Sequence, residues 1–225
     1  MQHHNALQDF GIRNYAFAAG TCYGNALPAE MLTLTQASRV TDSPVTLGQG
    51  ASMKVLHADG AAHSCFNENT LVVRLDLGTT RVLLMGDAEA GGRQAPTVLP
   101  SAGSIEHVLV TCCASELAAQ ILIAGHHGSR TSSRRALLDA VGASVFVVSS
   151  GLTKYGSVVL PDGDIISELQ SRGQVLRTDT NDAACAVNPL EIGPDSDGHA
   201  GGCENIRLVI GGTPALQTTV FHGAD

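Results

Sequence analysis

Hydrophobic and polar positions fall into a readable order only from about residue 50 onward. Residues 53–56 form a short apolar strand that ends at His57-Ala58-Asp59-Gly60. Two further apolar runs, 70–75 and 81–85, flank Gly78-Thr79-Thr80, which is the pattern of a β-hairpin. Residues 105–110 read as another strand, and 116–120 as a short helix before an apolar strand at 121–124. Ala136-Leu137-Leu138 to Val141 reads as a helix with Ser132 or Ser133 as its N-cap and Gly142 as its stop. A β-rich strand at 144–149, an amphipathic helix at 162–172 closed by Gly173, and a strand at 175–177 follow. The stretch 188–203 is loop-like, and 206–210 is a last strand expected to return to a sheet. Residues 1–50 are weakly patterned, broken at Leu27-Pro28 and Ser43-Pro44. Strands dominate early and αβ alternation late, so the pattern predicts a sheet-rich α/β (α+β) domain.

Composition narrows this picture. A chain of 225 residues is expected to be one domain, at roughly 150 residues per domain. Its 44% hydrophobic and 15% charged residues exclude wholesale disorder. No apolar stretch reaches the roughly 18 residues of a membrane-spanning helix. Met1-Gln2-His3-His4-Asn5 lacks the pattern of a secretory signal, so a cytoplasmic location is expected. The formal charge of −8, from 21 acidic against 13 basic residues, weighs against a nucleic-acid partner and toward a small, weakly charged one. Arg130, Arg134 and Arg135 form the one local basic cluster in the sequence. No CxxC pair occurs among the six cysteines, which read as small buried hydrophobes, with a Cys185–Cys203 bridge open in an oxidising compartment.

Three segments carry residues suited to chemistry. Asn67-Glu68-Asn69-Thr70 leads into the hairpin, an apolar run ends on Asp87 and Glu89, and another ends on His126-His127-Gly128-Ser129. A carboxylate and imidazoles at the ends of adjacent apolar strands stand on rigid backbone at a sheet edge. Metal ligation needs that rigidity, because ligand distances are held near ~2.0–2.2 Å. Singly, an Asp after Gly is more often a turn former and a His-His pair more often surface decoration; together at one edge they favour ligands. His57 and His63 could contribute but read more simply as plain loop histidines, and His107 reads as structural. Arg130-Thr131-Ser132-Ser133 could offer backbone N–H groups to an anion at a helix N-terminus, with plain capping the simpler reading.

NENTLVVRLDLGTTRVLLMGDAE at 67–89, ILIAGHHGSRTSSRRALLDAVGASVFVVSSG at 121–151, KYG at 154–156 and VLRTD at 175–179 resemble the metallo-β-lactamase-like hydrolase domain of ComEC-type competence proteins and their soluble relatives. The resemblance spans roughly residues 50–182 and is most distinctive at GHHGSRTSS. It implies a metallo-β-lactamase-like αββα sandwich with a metal site at one sheet edge. Asp87 then resembles the metal-bridging aspartate, and one of His126 and His127 the late metal-binding histidine. Asn67, Asn69, Ser129 and Tyr155 fall where such proteins line the substrate pocket.

The chain departs from that family in lacking HxHxDH; His3-His4-Asn5 followed by Asp9 has the wrong spacing. Tyr155-Gly156 runs into Ser157-Val158 rather than His-Pro, and Asp179 into Thr180-Asn181-Asp182 rather than Gly. The expected fold is therefore N-terminally incomplete: a divergent part at 1–50, a family-like core at 51–182 and a loop-rich tail at 183–225. The remaining donors are oxygen-rich: Asp87, with Glu89, Asp59, Asp179 and the Asn side chains. Such a set suits Ca²⁺, Mg²⁺ or Mn²⁺, whereas family analogy points to Zn²⁺. The leading reading is a metal-dependent hydrolase of a small ester or lactone, such as an acyl-homoserine lactone, in the quorum-quenching manner. Asp87 would hold metal and orient water, a histidine would ligate, and Tyr155 would steady the oxyanion. A phosphodiesterase or nuclease is the first alternative; a non-catalytic binding module, favoured by the missing motif, is the second. Absent strands would leave a sheet edge unpaired, so self-association into a homo-oligomer is expected.

Overall fold

Apolar side chains alternate along each central strand, and that alternation gives the molecule two separate hydrophobic clusters, one on each face of a sheet. The computed structural model describes residues 44–48, 50–58, 63, 66–150, 154–155, 157–179, 205–211 and 216–221. In chain order these form β1 (Val45–Gly48), β2 (Ala51–His57), β3 (Val72–Leu77), β4 (Thr80–Leu84), α1 (Ile105–Cys112), α2 (Ala114–Leu117), β5 (Ile121–Ile123), α3 (Arg135–Val141), β6 (Val145–Val148), β7 (Lys154–Tyr155), β8 (Val158–Val159), α4 (Gly163–Gln170), β9 (Gln174–Arg177), β10 (Asn205–Ile210) and β11 (Leu216–Phe221). A seven-stranded sheet runs β1-β2-β3-β4-β5-β6-β9. Its first four strands are antiparallel, and β4, β5, β6 and β9 are parallel.

Leu83, Leu122, Phe146 and Val148 point to one face, where Leu109 of α1, Leu137 and Leu138 of α3, and Ile165 and Leu169 of α4 cover them. Val82, Ile121, Val145, Val147 and Leu176 point to the other, where Ile206, Leu208 and Ile210 of β10 pack on them. The expected α/β class is present as a mixed sheet with helices on one face. The strand expected at 206–210 is present too, but it pairs with β11 in a separate two-stranded ribbon rather than within the large sheet.

Two expectations are corrected. Residues 105–110 form a helix, not a strand. The Ser104 hydroxyl accepts the His107 N–H at 3.3 Å, which caps a first turn, and Ile105 and Leu109 are buried at helical i, i+4 spacing. Valines at 108 and 110 suggested a strand, but the cap and the buried face decide otherwise. Cys112 and Cys113, expected as small buried hydrophobes, are joined in a disulfide between adjacent residues at the end of α1. Cys22, Cys65, Cys185 and Cys203 lie outside the described residues, as does the 1–43 segment. No helix among the described residues is long and apolar enough to cross a membrane.

Candidate functional site

β4 and β5 are parallel neighbours in register, Leu84 opposite Ile123, so the chain leaves both at the same sheet edge. After β4 the backbone turns at Gly86, whose φ is +53°. A Cβ there would lie 2.4 Å from Thr70 Oγ1, the same oxygen that accepts the Asp87 N–H at 2.9 Å. Close approach and positive φ together make this a glycine position. After β5, His126 and His127 both adopt left-handed conformations, with φ of 46° and 56°, sparsely populated for non-glycine residues. The turn is held by the His126 N–H donating to Gly86 O at 2.9 Å, by Ser129 N–H to His126 O at 2.9 Å, and by Ser132 Oγ to Gly125 O at 2.7 Å.

The two imidazoles go to different partners. His127 Nε2 lies 3.7 Å from Asp87 Oδ1, and its Nδ1 lies 2.7 Å from the Ser149 carbonyl. A carbonyl only accepts, so a proton belongs on Nδ1, and in the neutral ring this leaves the Nε2 lone pair facing Asp87. His126 Nδ1 lies 2.9 Å from Glu89 Oε1 and 2.7 Å from Thr131 Oγ1. Asn67 Nδ2 stands 3.4 Å from His126 Nε2 and donates to Glu89 Oε1 at 3.1 Å. Burial by itself would raise the Glu89 carboxyl, but the hydrogen bonds from His126 and Asn67 hold it below its ordinary value.

Two atoms ligating one ion at about 2.0–2.2 Å stand roughly 3–3.5 Å apart in neighbouring positions. His127 Nε2 and Asp87 Oδ1 come within a few tenths of an ångström of that spacing, and both side chains are nearly half exposed, at 41% and 46%. This carboxylate–imidazole pair fits a divalent cation as two of its ligands. Among the described residues no group of three or more His, Cys, Asp or Glu is gathered to hold a metal. Glu89 is committed to His126, and Asp179 is paired with Arg177 at 2.5 Å. Asp59 lies outside the described residues.

Of the other expected site residues, Asn67 borders a cleft of about 520 Å³, together with Glu68, Glu89, His57 and His63. Leu56, Ile105, Val108 and the Cys112–Cys113 disulfide form its apolar wall, and no Lys or Arg lines it among the described residues. Asn69 lies in the same short turn, Phe66–Asn69, but not among the residues lining the cleft. Ser129 is buried, its hydroxyl accepting from Arg93 Nη1 at 3.1 Å and Thr131 N–H at 3.2 Å. Tyr155 pairs through its backbone with Val158; its side chain lies outside the described part.

No family model matches the chain. Over 103 residues, 46% of the chain, it is 32% identical to Recombination protein 2 of Haemophilus influenzae, of which the match covers 11%. Over 184 residues, 81% of the chain, it is 24% identical to Competence protein ComA of Neisseria gonorrhoeae, of which the match covers 24%. The chain is thus similar to a part of a recombination protein and to a part of a competence protein. It spans a quarter or less of the length of these curated relatives.

The basic cluster is not a free cationic surface. Arg130 Nε donates to Asp164 at 2.8 Å, which raises the guanidinium, and Arg135 is paired with Glu168 at 2.8 Å. Arg134 is buried, donating to the carbonyls of Ala95 at 2.8 Å and Gly92 at 2.6 Å, and also to that of Gln94. Nor do Ser132 and Ser133 cap α3. The N–H of its N-cap residue, Arg134, at 3.0 Å, and that of the preceding Ser133 are instead accepted by the carboxylate of Glu106. The helix N-terminus does take an anion, but the anion is the protein's own. Burial pushes the Glu106 carboxyl up to about 7, against the pull of those two amides and of Arg134. Sequence reading passed over Glu106 because it was placed in a strand; a helix at Ile105–Cys112 would have marked a buried carboxylate needing donors.

Proposed function

We propose that the chain is a metal-dependent hydrolase of the metallo-β-lactamase-like kind, working at the edge where β4 and β5 end. The observation that carries this reading is the His127–Asp87 pair, with Nδ1 committed to the Ser149 carbonyl and Nε2 directed at the carboxylate. Asp87 and His127 would hold the cation, with remaining positions left to water, substrate or residues outside those described. When bound, the ion polarises the scissile group and lowers the pKa of its water toward neutrality. Asp87, carrying the one carboxylate oxygen not needed for ligation, would orient that water. Glu89, His126 and Asn67 support the edge from behind, as a connected set rather than as ligands. Relatives named for recombination and for competence, both processes acting on DNA, make a phosphodiester the substrate to test first.

An ester or lactone is the second reading, and a specific observation favours it. Among the described residues the neighbouring cleft carries Glu68 and Glu89 and no Lys or Arg, a setting that disfavours a polyanion and suits an uncharged ligand. Both substrate classes go into one assay. Purified protein is stripped with chelator, then supplied with Mn²⁺, Mg²⁺, Ca²⁺ or Zn²⁺ against bis-p-nitrophenyl phosphate and an acyl-homoserine lactone. Metal-restored phosphodiester cleavage that Asp87→Ala removes supports the first reading, and lactone opening alone supports the second. Inactivity on both, with no metal uptake, leaves a binding module.

A further inference from the structure

We propose that Glu106 is the positioning residue of this edge: from helix α1 it ties the loop carrying Asp87 to the loop carrying His127. The inference rests on the metal-site reading above. Three hydrogen bonds from one residue reach both halves. The Glu106 backbone N–H donates to the Glu89 carbonyl at 3.1 Å, two residues beyond Asp87. Its carboxylate, completely buried, accepts the N–H groups of Ser133 and Arg134.

Ser133 needs such a holder. Its φ is +59°, the third left-handed non-glycine residue in an eight-residue stretch with His126 and His127. From Ser133 the constraint runs back to the histidines through short bonds. Ser132 Oγ reaches the carbonyl of Gly125 at 2.7 Å and that of Ser129 at 3.2 Å. Thr131 Oγ1 meets His126 Nδ1 at 2.7 Å, and the Thr131 carbonyl accepts the Ala90 N–H at 2.5 Å. The charged group bearing on Glu106 is the Arg134 guanidinium, itself fixed by backbone carbonyls. A carboxylate suits the position because both facing groups donate. Glutamine keeps the size but turns an NH₂ toward one of the two N–H groups, setting donor against donor.

The test compares Glu106→Gln with Leu137→Ala, a buried core residue of α3 outside the clamp. Amide exchange is read at residues 125–134, and Mn²⁺ affinity by electron paramagnetic resonance. E106Q is expected to speed exchange at Ser133 and Arg134, and to weaken Mn²⁺ binding, each by about tenfold, as for a lost buried hydrogen-bond partner. L137A is expected to leave Mn²⁺ affinity unchanged. Equal Mn²⁺ affinity in wild type and E106Q, or equal losses in E106Q and L137A, overturns the proposal. A wild type that takes up no Mn²⁺ defeats the metal reading instead; exchange then decides alone, and unchanged protection at His126–Ser129 in E106Q overturns the clamp. If E106Q does not fold, E106Q with Ser133→Gly decides, because glycine takes φ +59° without strain. Recovery of the fold with weak Mn²⁺ binding is expected, and no recovery overturns the role.

Discussion

His126 and His127 are adjacent in sequence, and their rings stand 6.3 Å apart because left-handed backbone at both residues turns them to different neighbours. That divergence separates a ligating role from a supporting one, and substitution should separate them too. His127→Ala is expected to abolish Mn²⁺ uptake measured by calorimetry with little change in thermal midpoint, because its side chain is half exposed. His126→Ala is expected to destabilise by about 1–3 kcal/mol in urea titration, leaving the partly buried Glu89 short of its main donor. Gly86→Ala meets both positive φ and the Thr70 hydroxyl, and a loss of about 1–3 kcal/mol is expected, read as a lower urea midpoint at constant slope. Equal behaviour of the two histidine variants would refute the division of roles.

At the level of elements, α1 does more than cover the sheet. Its buried Glu106 caps α3, and the charge it carries there has a pH signature. The folded carboxyl is raised to about 7 from an ordinary 4.5, so the folded state favours the protonated form. The stabilisation is therefore fully present below about pH 4.5 and is lost as pH rises through about 7. At 1.36 kcal/mol per unit this slope amounts to a loss of order 3 kcal/mol across the window. Urea denaturation of wild type at pH 5 and pH 8 should show that fall, and E106Q should lack it. A wild-type profile flat across this range would contradict the burial assigned to Glu106. The same element shows why a local reading of 105–110 failed. β-branched residues at 108 and 110 favour strand locally, and the Ser104 cap with the buried Ile105–Leu109 stripe outweighs that preference.

For the molecule as a whole, the seven-stranded sheet ends on β1, whose four residues are all exposed, including Val45 at 47% and Leu47 at 41%. Among the described residues no strand pairs with its outer side, and an edge strand with apolar side chains is a template for another strand. Concentration-dependent self-association is therefore expected by light scattering, and Leu47→Lys is expected to reduce it. A constant monomer mass at high concentration would count against this.

The order of apolar and polar residues by itself determined the hairpin of β3 and β4, the strands β5, β6 and β9, and the Asp87 and His126–His127 positions at strand ends. These are local signals: period-two alternation, Gly turns, and breaks where a run stops. Only the tertiary structure decided which histidine faces Asp87, because that depends on two left-handed residues and on a carbonyl contributed by Ser149, 22 residues away. It also decided that Arg130 and Arg135 are spent on Asp164 and Glu168, and that α3 is capped by a carboxylate from α1 rather than by its own serines. Burial and long-range partners set those outcomes, and neither is written in the spacing of residues along the chain.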